Sequence, residues 1–196
     1  MSLTRLTEIT NLISRIGTWI GGSLLLVAAG IIGLEVILRK IFLISLGGAD
    51  ELASYALAIG TVWALSFTLI ERAHIRVDAL YVVLPGWLRS GLDLLALVAV
   101  TVFAGFLTWY AAGVLLTSID LQATANTPLA TPLWIPQGIW VIGLGLFVII
   151  SLLLTALTLL ALIRGRVEDV SRLAGTKTVS EELEEGLAAT QAGGKA

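Results

Sequence analysis

Four long apolar runs dominate the pattern of hydrophobic and polar positions along the chain. They extend from Ile16 to Leu38, Leu52 to Ile70, Leu94 to Leu116 and Gly138 to Ile163. A helix that crosses a bilayer needs about 20 mostly apolar residues at a rise of about 1.5 Å per residue, and each run meets this length. The runs also lack the alternating polarity of membrane β-barrel strands. The pattern therefore predicts an all-α integral membrane protein with four transmembrane helices.

The connection between the second and third runs mixes charged and apolar side chains. It is too polar to cross a membrane and too apolar for a free loop. We expect an interfacial segment there, in the form of a short amphipathic helix that ends before Pro85. Its single imidazole, His74, suits a hydrogen-bonding role better than proton transfer, because no carboxylate relay accompanies it.

The connection before the last run carries Pro128, Pro132 and Pro136. Prolines at that spacing interrupt a helix, so an extended outer loop is expected. The pattern places residues 1–166 in one membrane domain. It leaves residues 167–196 as a polar, acidic C-terminal tail that we expect to be disordered.

Orientation follows from the basic residues, which collect on the cytoplasmic side of membrane proteins. With both termini in the cytoplasm, the inner segments hold nine basic residues up to Lys177, including Arg72, Arg76 and Arg89. The outer loops hold only Arg39 and Lys40, which are expected to snorkel from the end of the first helix. The sequence thus predicts a multi-pass membrane protein with cytoplasmic N- and C-termini.

Composition supports membrane insertion and narrows the chemistry. The 196 residues are 57% hydrophobic and 13% charged, with a mean hydropathy of +0.97. Without cysteine, and with one histidine, the chain cannot build a thiolate centre, a multi-histidine metal site or a bis-histidine haem site. Scattered basic residues give no sign of nucleic-acid binding. No nucleophile, base and orienting group occur together, so an enzyme is not expected, and no cofactor is expected in this chain.

Glu35 is the only ionisable residue within the four predicted spans. Charged groups in hydrocarbon are costly and often mark transport pathways. Glu35 lies four residues before Arg39, however, so a local ion pair near the membrane edge explains it more simply.

Asp50 and Glu51 open the second run. Asp50 is expected to cap the helix amides, and Glu51 to interact with the positive end of the helix dipole. A salt bridge from Glu51 to a cation on a partner protein is the functional alternative.

Small residues occur at helix-packing spacing in the first two spans: Gly17, Gly21, Ala56, Gly60 and Ala64. Such residues let helix backbones approach closely. Trp63 is expected to face protein, whereas Trp109 is expected near the outer interface. The residues predicted to matter for structure or partner contact are Glu35, Arg39, Asp50, Glu51, Gly60, Trp63, Arg72, His74, Arg76 and Asp78.

Residues 48–78 read GADELASYALAIGTVWALSFTLIERAHIRVD. With their acidic helix start, the His74-Ile75-Arg76-Val77-Asp78 stretch and the prolines at 128–140, they resemble the DctQ family of tripartite ATP-independent periplasmic (TRAP) transporters. This resemblance covers residues 15–166, although a tryptophan expected near Gly48 and Ala49 is missing.

The resemblance implies the small membrane subunit of a sodium-driven secondary transporter for organic acid-type solutes. It implies as partners a large multi-span membrane subunit of the DctM type and a periplasmic substrate-binding protein of the DctP type. The large subunit would hold sodium and substrate, and the small subunit would brace it within the lipid bilayer. Two alternatives stay open from the residues themselves: a self-sufficient small transporter or channel, and the membrane anchor of an oxidoreductase.

Overall fold

A computed structural model describes residues 3–45, 47–70 and 84–165. They form four helices: α1 Leu3–Phe42, α2 Ala49–Ile70, α3 Gly86–Asp120 and α4 Trp134–Ile163. Each contains a stretch long and apolar enough to cross a membrane, namely Trp19–Phe42, Ala49–Ile70, Leu88–Asp120 and Trp134–Ile163. The predicted four-helix membrane fold is confirmed. The interfacial segment and the acidic tail predicted from the sequence lie outside the described residues.

The helices extend past the apolar runs that predicted them. α1 begins at Leu3 and α3 at Gly86, well before the runs that start at Ile16 and Leu94. An apolar run marks only the part of a helix that suits hydrocarbon. The helix itself can continue into flanking polar residues, as long as its apolar residues stay on one side. Pro136 lies in the first turn of α4, where its missing N–H is not needed.

The chain divides into two compact units, Met1–Glu71 with Ala99–Leu153 and Arg72–Val98 with Leu154–Ala196. In the first unit α1 packs along α2. Its buried positions Gly21, Ala28 and Glu35 recur every seven residues, which is the spacing of a narrow contact stripe on one side of a helix. The rest of the α1 surface beyond Trp19 is mostly exposed.

The core of the first unit joins three helices. Val62 of α2, Ala111 of α3 and Leu144 of α4 form a buried cluster, with Trp140 and Val141 packed against it. In a membrane protein, burial of these apolar side chains stabilises the fold through close packing. It gains little from removal of the side chains from water, because the lipid they would otherwise contact is equally apolar.

In the second unit, the described residues are the beginning of α3 and the end of α4. The Pro85 carbonyl accepts hydrogen bonds from the amides of Leu88 and Arg89 at 3.0 and 3.1 Å, which starts α3. At the other element, Gly165 has a φ of 68° and its amide donates to the Leu162 carbonyl at 3.0 Å. This left-handed glycine ends α4 in the manner usual for helix C-termini.

Candidate functional site

The first polar cluster surrounds Glu35 near the end of α1. Its side chain is buried, with 4% exposure, and the Arg39 guanidinium donates to its Oε1 at 2.5 Å. The Ser45 hydroxyl donates to the same oxygen at 2.7 Å and accepts from the Gly47 amide at 3.2 Å. The predicted i,i+4 ion pair is therefore present, and Ser45 extends it into the loop that leads to α2. The cluster ties the end of α1 to that loop.

The second polar cluster surrounds Glu51 at the start of α2. Glu51 is 7% exposed and lies in the first turn, as the dipole argument predicted. The Tyr55 hydroxyl donates to Oε1 at 2.9 Å, and the Thr127 hydroxyl donates to Oε2. Thr131 also interacts with this carboxylate through its hydroxyl group and its backbone. Hydroxyl groups of the chain itself thus bind this carboxylate, and the salt bridge to a partner cation stays a prediction.

Asp50 does not cap α2. The helix begins at Ala49, and the Leu52 amide donates to the Gly48 carbonyl at 3.1 Å, so Gly48 occupies the cap position. Asp50 is the second helical residue, and its backbone carbonyl accepts a hydrogen bond from the Ser54 hydroxyl at 2.8 Å. The predicted capping role is wrong, because Asp50 lies two residues after the cap residue Gly48. Its negative charge still lies at the positive end of the helix dipole.

The outer loop, residues 121–133, is ordered by its own backbone hydrogen bonds. The Ala125 amide donates to the Thr131 carbonyl and the Leu133 amide to the Ala123 carbonyl, both at 2.9 Å. A single antiparallel bridge joins Thr124 and Pro132. The sequence predicted an extended loop from its prolines, but the closed hairpin carries no signal in composition alone. This hairpin presents Thr127 and Thr131 to Glu51.

Two glycines let the α1–α2 loop lie against the outer loop. Gly47 has a φ of 71°, which favours glycine, and its α-carbon faces the Pro128 ring. A side chain at Gly48 would overlap Leu129. The absence of tryptophan noted near these positions is therefore matched by a loop packing in which a side chain at Gly48 would have to displace Leu129.

Gly21 and Gly60 form the closest approach of α1 and α2. A Cβ atom at Gly21 would lie 2.9 Å from the Gly60 backbone oxygen, and one at Gly60 would lie 3.0 Å from the Gly21 backbone oxygen. Backbone stands where side chains would go, so only glycine fits on either side. The packing role predicted for Gly60 is confirmed.

Trp63 and Gly143 form the corresponding seam between α2 and α4. The Trp63 indole donates to the Ile139 carbonyl at 3.3 Å. A Cβ atom at Gly143 would lie 2.6 Å from Val62 Cγ1 and 2.9 Å from Trp63 Nε1. Trp63 faces protein, as predicted. Gly143 was missed, because its role depends on a partner 80 positions earlier in the sequence.

Asp93 is a further residue that the sequence reasoning missed. It lies within α3, is 3% exposed and stands four residues after Arg89, and each of the two has interaction partners. The Arg89 Nε atom donates to the Leu84 carbonyl at 2.6 Å. The i,i+4 spacing of Arg89 and Asp93 just before the third apolar run was the available signal. Arg72, His74, Arg76 and Asp78 lie outside the described residues.

The described arrangement favours holding helices and loops together over binding a charged solute. Glu35 and Glu51 are each engaged by donors from the chain itself. Within the described ranges, no group of three or more acidic or histidine side chains could hold a metal ion. The buried oxygen atoms that lack a partner there belong to uncharged side chains, Ser66, Gln137 and Thr158.

Comparison with known proteins identifies the family. The family model for the DctQ component of tripartite ATP-independent periplasmic transporters matches residues 10–162, which cover the four membrane-crossing stretches except for the last residue, Ile163. No curated protein and no solved structure matches the chain. The match and the four apolar helices make this a multi-pass inner-membrane protein and a component of a transport system. The chain belongs to the DctQ family, the small membrane subunits of TRAP transporters.

Proposed function

We propose that this chain is the scaffold subunit of a sodium-driven TRAP transporter for organic acid-type solutes. In this role it braces a large membrane subunit of the DctM type, which carries sodium and solute, and works with a periplasmic binding protein of the DctP type. The observation that carries the proposal is the family match over residues 10–162. It rests also on how the membrane helices use their charged groups.

A conduit for a carboxylate needs donors that replace the hydration of the solute, because leaving a charge unpaired in hydrocarbon costs several kcal/mol or more. Arg39, one of two cations in the last turn of α1, is occupied by Glu35 and Ser45. The carboxylate of Glu51 is occupied by hydroxyl groups of Tyr55 and Thr127. The charges of Glu35, Arg39 and Glu51 are thus engaged in contacts within the chain, which favours a structural role.

We further propose that both termini are cytoplasmic and that the outer loop faces the periplasm, from the distribution of basic residues. Single cysteines at two exposed positions, Asn126→Cys and Gly86→Cys, test this orientation. An impermeant thiol reagent added to intact spheroplasts should label Asn126→Cys and leave Gly86→Cys unlabelled until the membrane is opened. The reverse pattern would invert the topology.

Reconstitution in liposomes tests the function. The isolated chain should take up no radiolabelled organic acid under an inward sodium gradient. The same chain reconstituted with its large subunit and the matching binding protein should take up solute, and replacing the sodium gradient with potassium should stop uptake. Sodium-driven uptake by the isolated chain would overturn the scaffold role and restore the small-transporter alternative.

A further inference from the structure

An open apolar groove lies on α3 within the first unit. It has a volume of about 510 Å³ and is lined by Val102, Gly105, Phe106, Trp109 and Tyr110. No described residue lies within 4 Å of the position that a Cβ atom would take at Gly105, so among the described residues the glycine forms an open floor between larger side chains. At 3.6 residues per turn, these five residues share the side of α3 opposite the buried Ala104 and Ala111. The packing of the described residues, 3–45, 47–70 and 84–165, therefore does not use this face.

With the stretch Leu88–Asp120 centred on the bilayer, the groove would lie at the depth of the hydrocarbon. The stretch Leu88–Asp120 has its midpoint at residue 104, so Gly105 is central. Trp109 and Tyr110 stand five and six residues beyond that midpoint, or about 8 Å along the axis. The half-thickness of the hydrocarbon core is about 15 Å. Trp109, which the sequence predicts near the outer interface, lies eleven residues before the end of α3.

Trp109 and Tyr110 carry polar hydrogens that the described part of the chain leaves unpaired. They are 77% and 69% exposed, and no described residue accepts a hydrogen bond from the indole N–H or the phenolic O–H. Such groups in membrane proteins prefer the interfaces, where water and headgroups supply acceptors. At hydrocarbon depth an acyl chain supplies none, and an unpaired donor there is costly. The groove thus needs an occupant with hydrogen-bond acceptors.

We propose that this groove docks a transmembrane helix of the large membrane subunit. An acceptor on that helix, either a backbone carbonyl freed at a helix break or a hydroxyl or amide side chain, receives the Trp109 and Tyr110 donors. Gly105 lets the helix approach closely between Phe106 and Val102, as small residues do in membrane helix interfaces. The inference rests on the proposed function, since it assumes a large membrane partner.

A second copy of this chain fits the groove less well. A two-fold interface would place the groove against itself. Its lining offers one side-chain acceptor, the Tyr110 oxygen, and an indole is a donor only. If each Trp109 donated to the Tyr110 oxygen of the other copy, and one Tyr110 hydroxyl group donated to the other, at least one phenolic proton would still lack an acceptor in the lining.

Co-purification of the assembled complex tests the proposal. The chain is co-expressed with its affinity-tagged large subunit, and the small-subunit yield is divided by its amount in the membrane. Gly105→Leu, which fills the floor, should lower the ratio about ten-fold or more. Trp109→Phe and Tyr110→Phe keep most of the ring volume, and each should lower it about three-fold. That factor corresponds to about 0.6 kcal/mol, the average worth of an interhelical hydrogen bond in membranes.

Gly30→Leu is the matched control. Gly30 lies at the middle of the α1 span, is exposed and has no described residue within 4 Å of its Cβ position. This variant should leave the ratio unchanged. Loss of assembly in Gly30→Leu with a normal ratio in Gly105→Leu would move the interface to α1 and overturn the proposal.

The remaining outcomes separate the occupants. Wild-type chain that fails to co-purify with the large subunit contradicts the proposed function itself. Wild-type assembly with normal ratios for Gly105→Leu and the Trp109→Phe/Tyr110→Phe double variant contradicts only the groove, and retained phospholipid lost from those variants would assign it to an acyl chain. Oxidative cross-linking of Val102→Cys into a homodimer in the native membrane would assign the groove to a second copy. In each of these cases the groove proposal fails.

Discussion

Gly143 on α4 and Gly105 on α3 each lie near a tryptophan in the middle of a membrane helix, yet their surroundings differ. At Gly143 the neighbouring helix fills the space, and the Trp63 indole reaches the Ile139 carbonyl. At Gly105 the space is open, and the indole of Trp109 has no acceptor among the described residues. Glycine and tryptophan thus form a contact between two helices at Gly143, whereas at Gly105 no described residue completes such a contact. Folding of the chain accounts for the first, and assembly accounts for the second.

If this comparison is right, substitutions at completed contacts should lower the stability of the isolated chain, whereas substitutions in the groove should not. The largest effect is expected for Gly60→Leu. A side chain there meets the Gly21 backbone oxygen and the Leu25 side chain, and backbone cannot move aside unless the helices separate. We expect the free energy of unfolding to fall by about 3 kcal/mol. Denaturation of the detergent-solubilised chain, followed by circular dichroism, measures it.

Gly30→Leu serves as the control for Gly60→Leu, since α1 is open at that position. An equal loss of stability in both variants would show that a large side chain at any glycine of a membrane helix is destabilising. The loss in Gly60→Leu could then not be attributed to the contact between α1 and α2.

A smaller loss is expected for Gly143→Leu, because the neighbours there are the side chains of Val62 and Trp63, which can shift. We expect about 1–3 kcal/mol. Gly105→Leu should leave stability unchanged or raise it slightly, since leucine favours helix over glycine by up to about 1 kcal/mol. Parallel unfolding of the two isolated variants checks the difference. Equal destabilisation would erase the distinction between the two sites.

The tryptophans give a finer comparison. Trp63→Phe removes the hydrogen bond to Ile139 and should cost about 0.6 kcal/mol in the isolated chain. Trp109→Phe should cost nothing measurable there, although it should weaken the complex. A stability loss in Trp109→Phe alone would indicate an acceptor within the chain and would leave the groove without its unpaired donor.

The smallest effect on global stability is expected at the outer loop, another completed contact. Glu51→Ala removes the acceptor of the Thr127 and Tyr55 hydroxyl groups. Hydrogen exchange at the Ala125 and Leu133 amides, which hold the hairpin closed, should speed up roughly ten-fold. Asp50→Ala, a neighbouring exposed acidic residue, is the matched control and should leave exchange unchanged. Equal acceleration in both would attribute the effect to charge at the helix start.

Sequence patterns predicted the features that depend on residues close together in the chain. Continuous apolarity located the four helices, the i,i+4 spacing located the Glu35–Arg39 pair, and small-residue spacing located Gly60. Helix ends were harder, because Asp93 lies inside α3 although it precedes the apolar run. Asp50 was assigned as a cap from its residue type, whereas the backbone starts the helix one residue after Gly48.

Contacts between distant segments left no signal that one sequence could show. Glu51 and Thr127 are 76 positions apart, and the hairpin that joins them is closed by backbone groups common to every residue. Gly143 resembles the other glycines of α4 until Trp63 is placed beside it. The groove at Gly105 could be recognised only once the structure showed which side of α3 is buried, because the sequence does not distinguish the two sides.

The separation between Glu51 and Thr127 also sets an order of events during biosynthesis. The Glu35–Arg39 pair lies within one helical turn and can form as soon as α1 is made. The Glu51 carboxylate must wait for a hydroxyl 76 residues later, which at about 5–20 residues per second takes roughly 4–15 s. Until then the start of α2 carries a carboxylate without the Thr127 bond. Closure of this contact therefore marks, in time, the arrival of the outer loop and the beginning of the last helix.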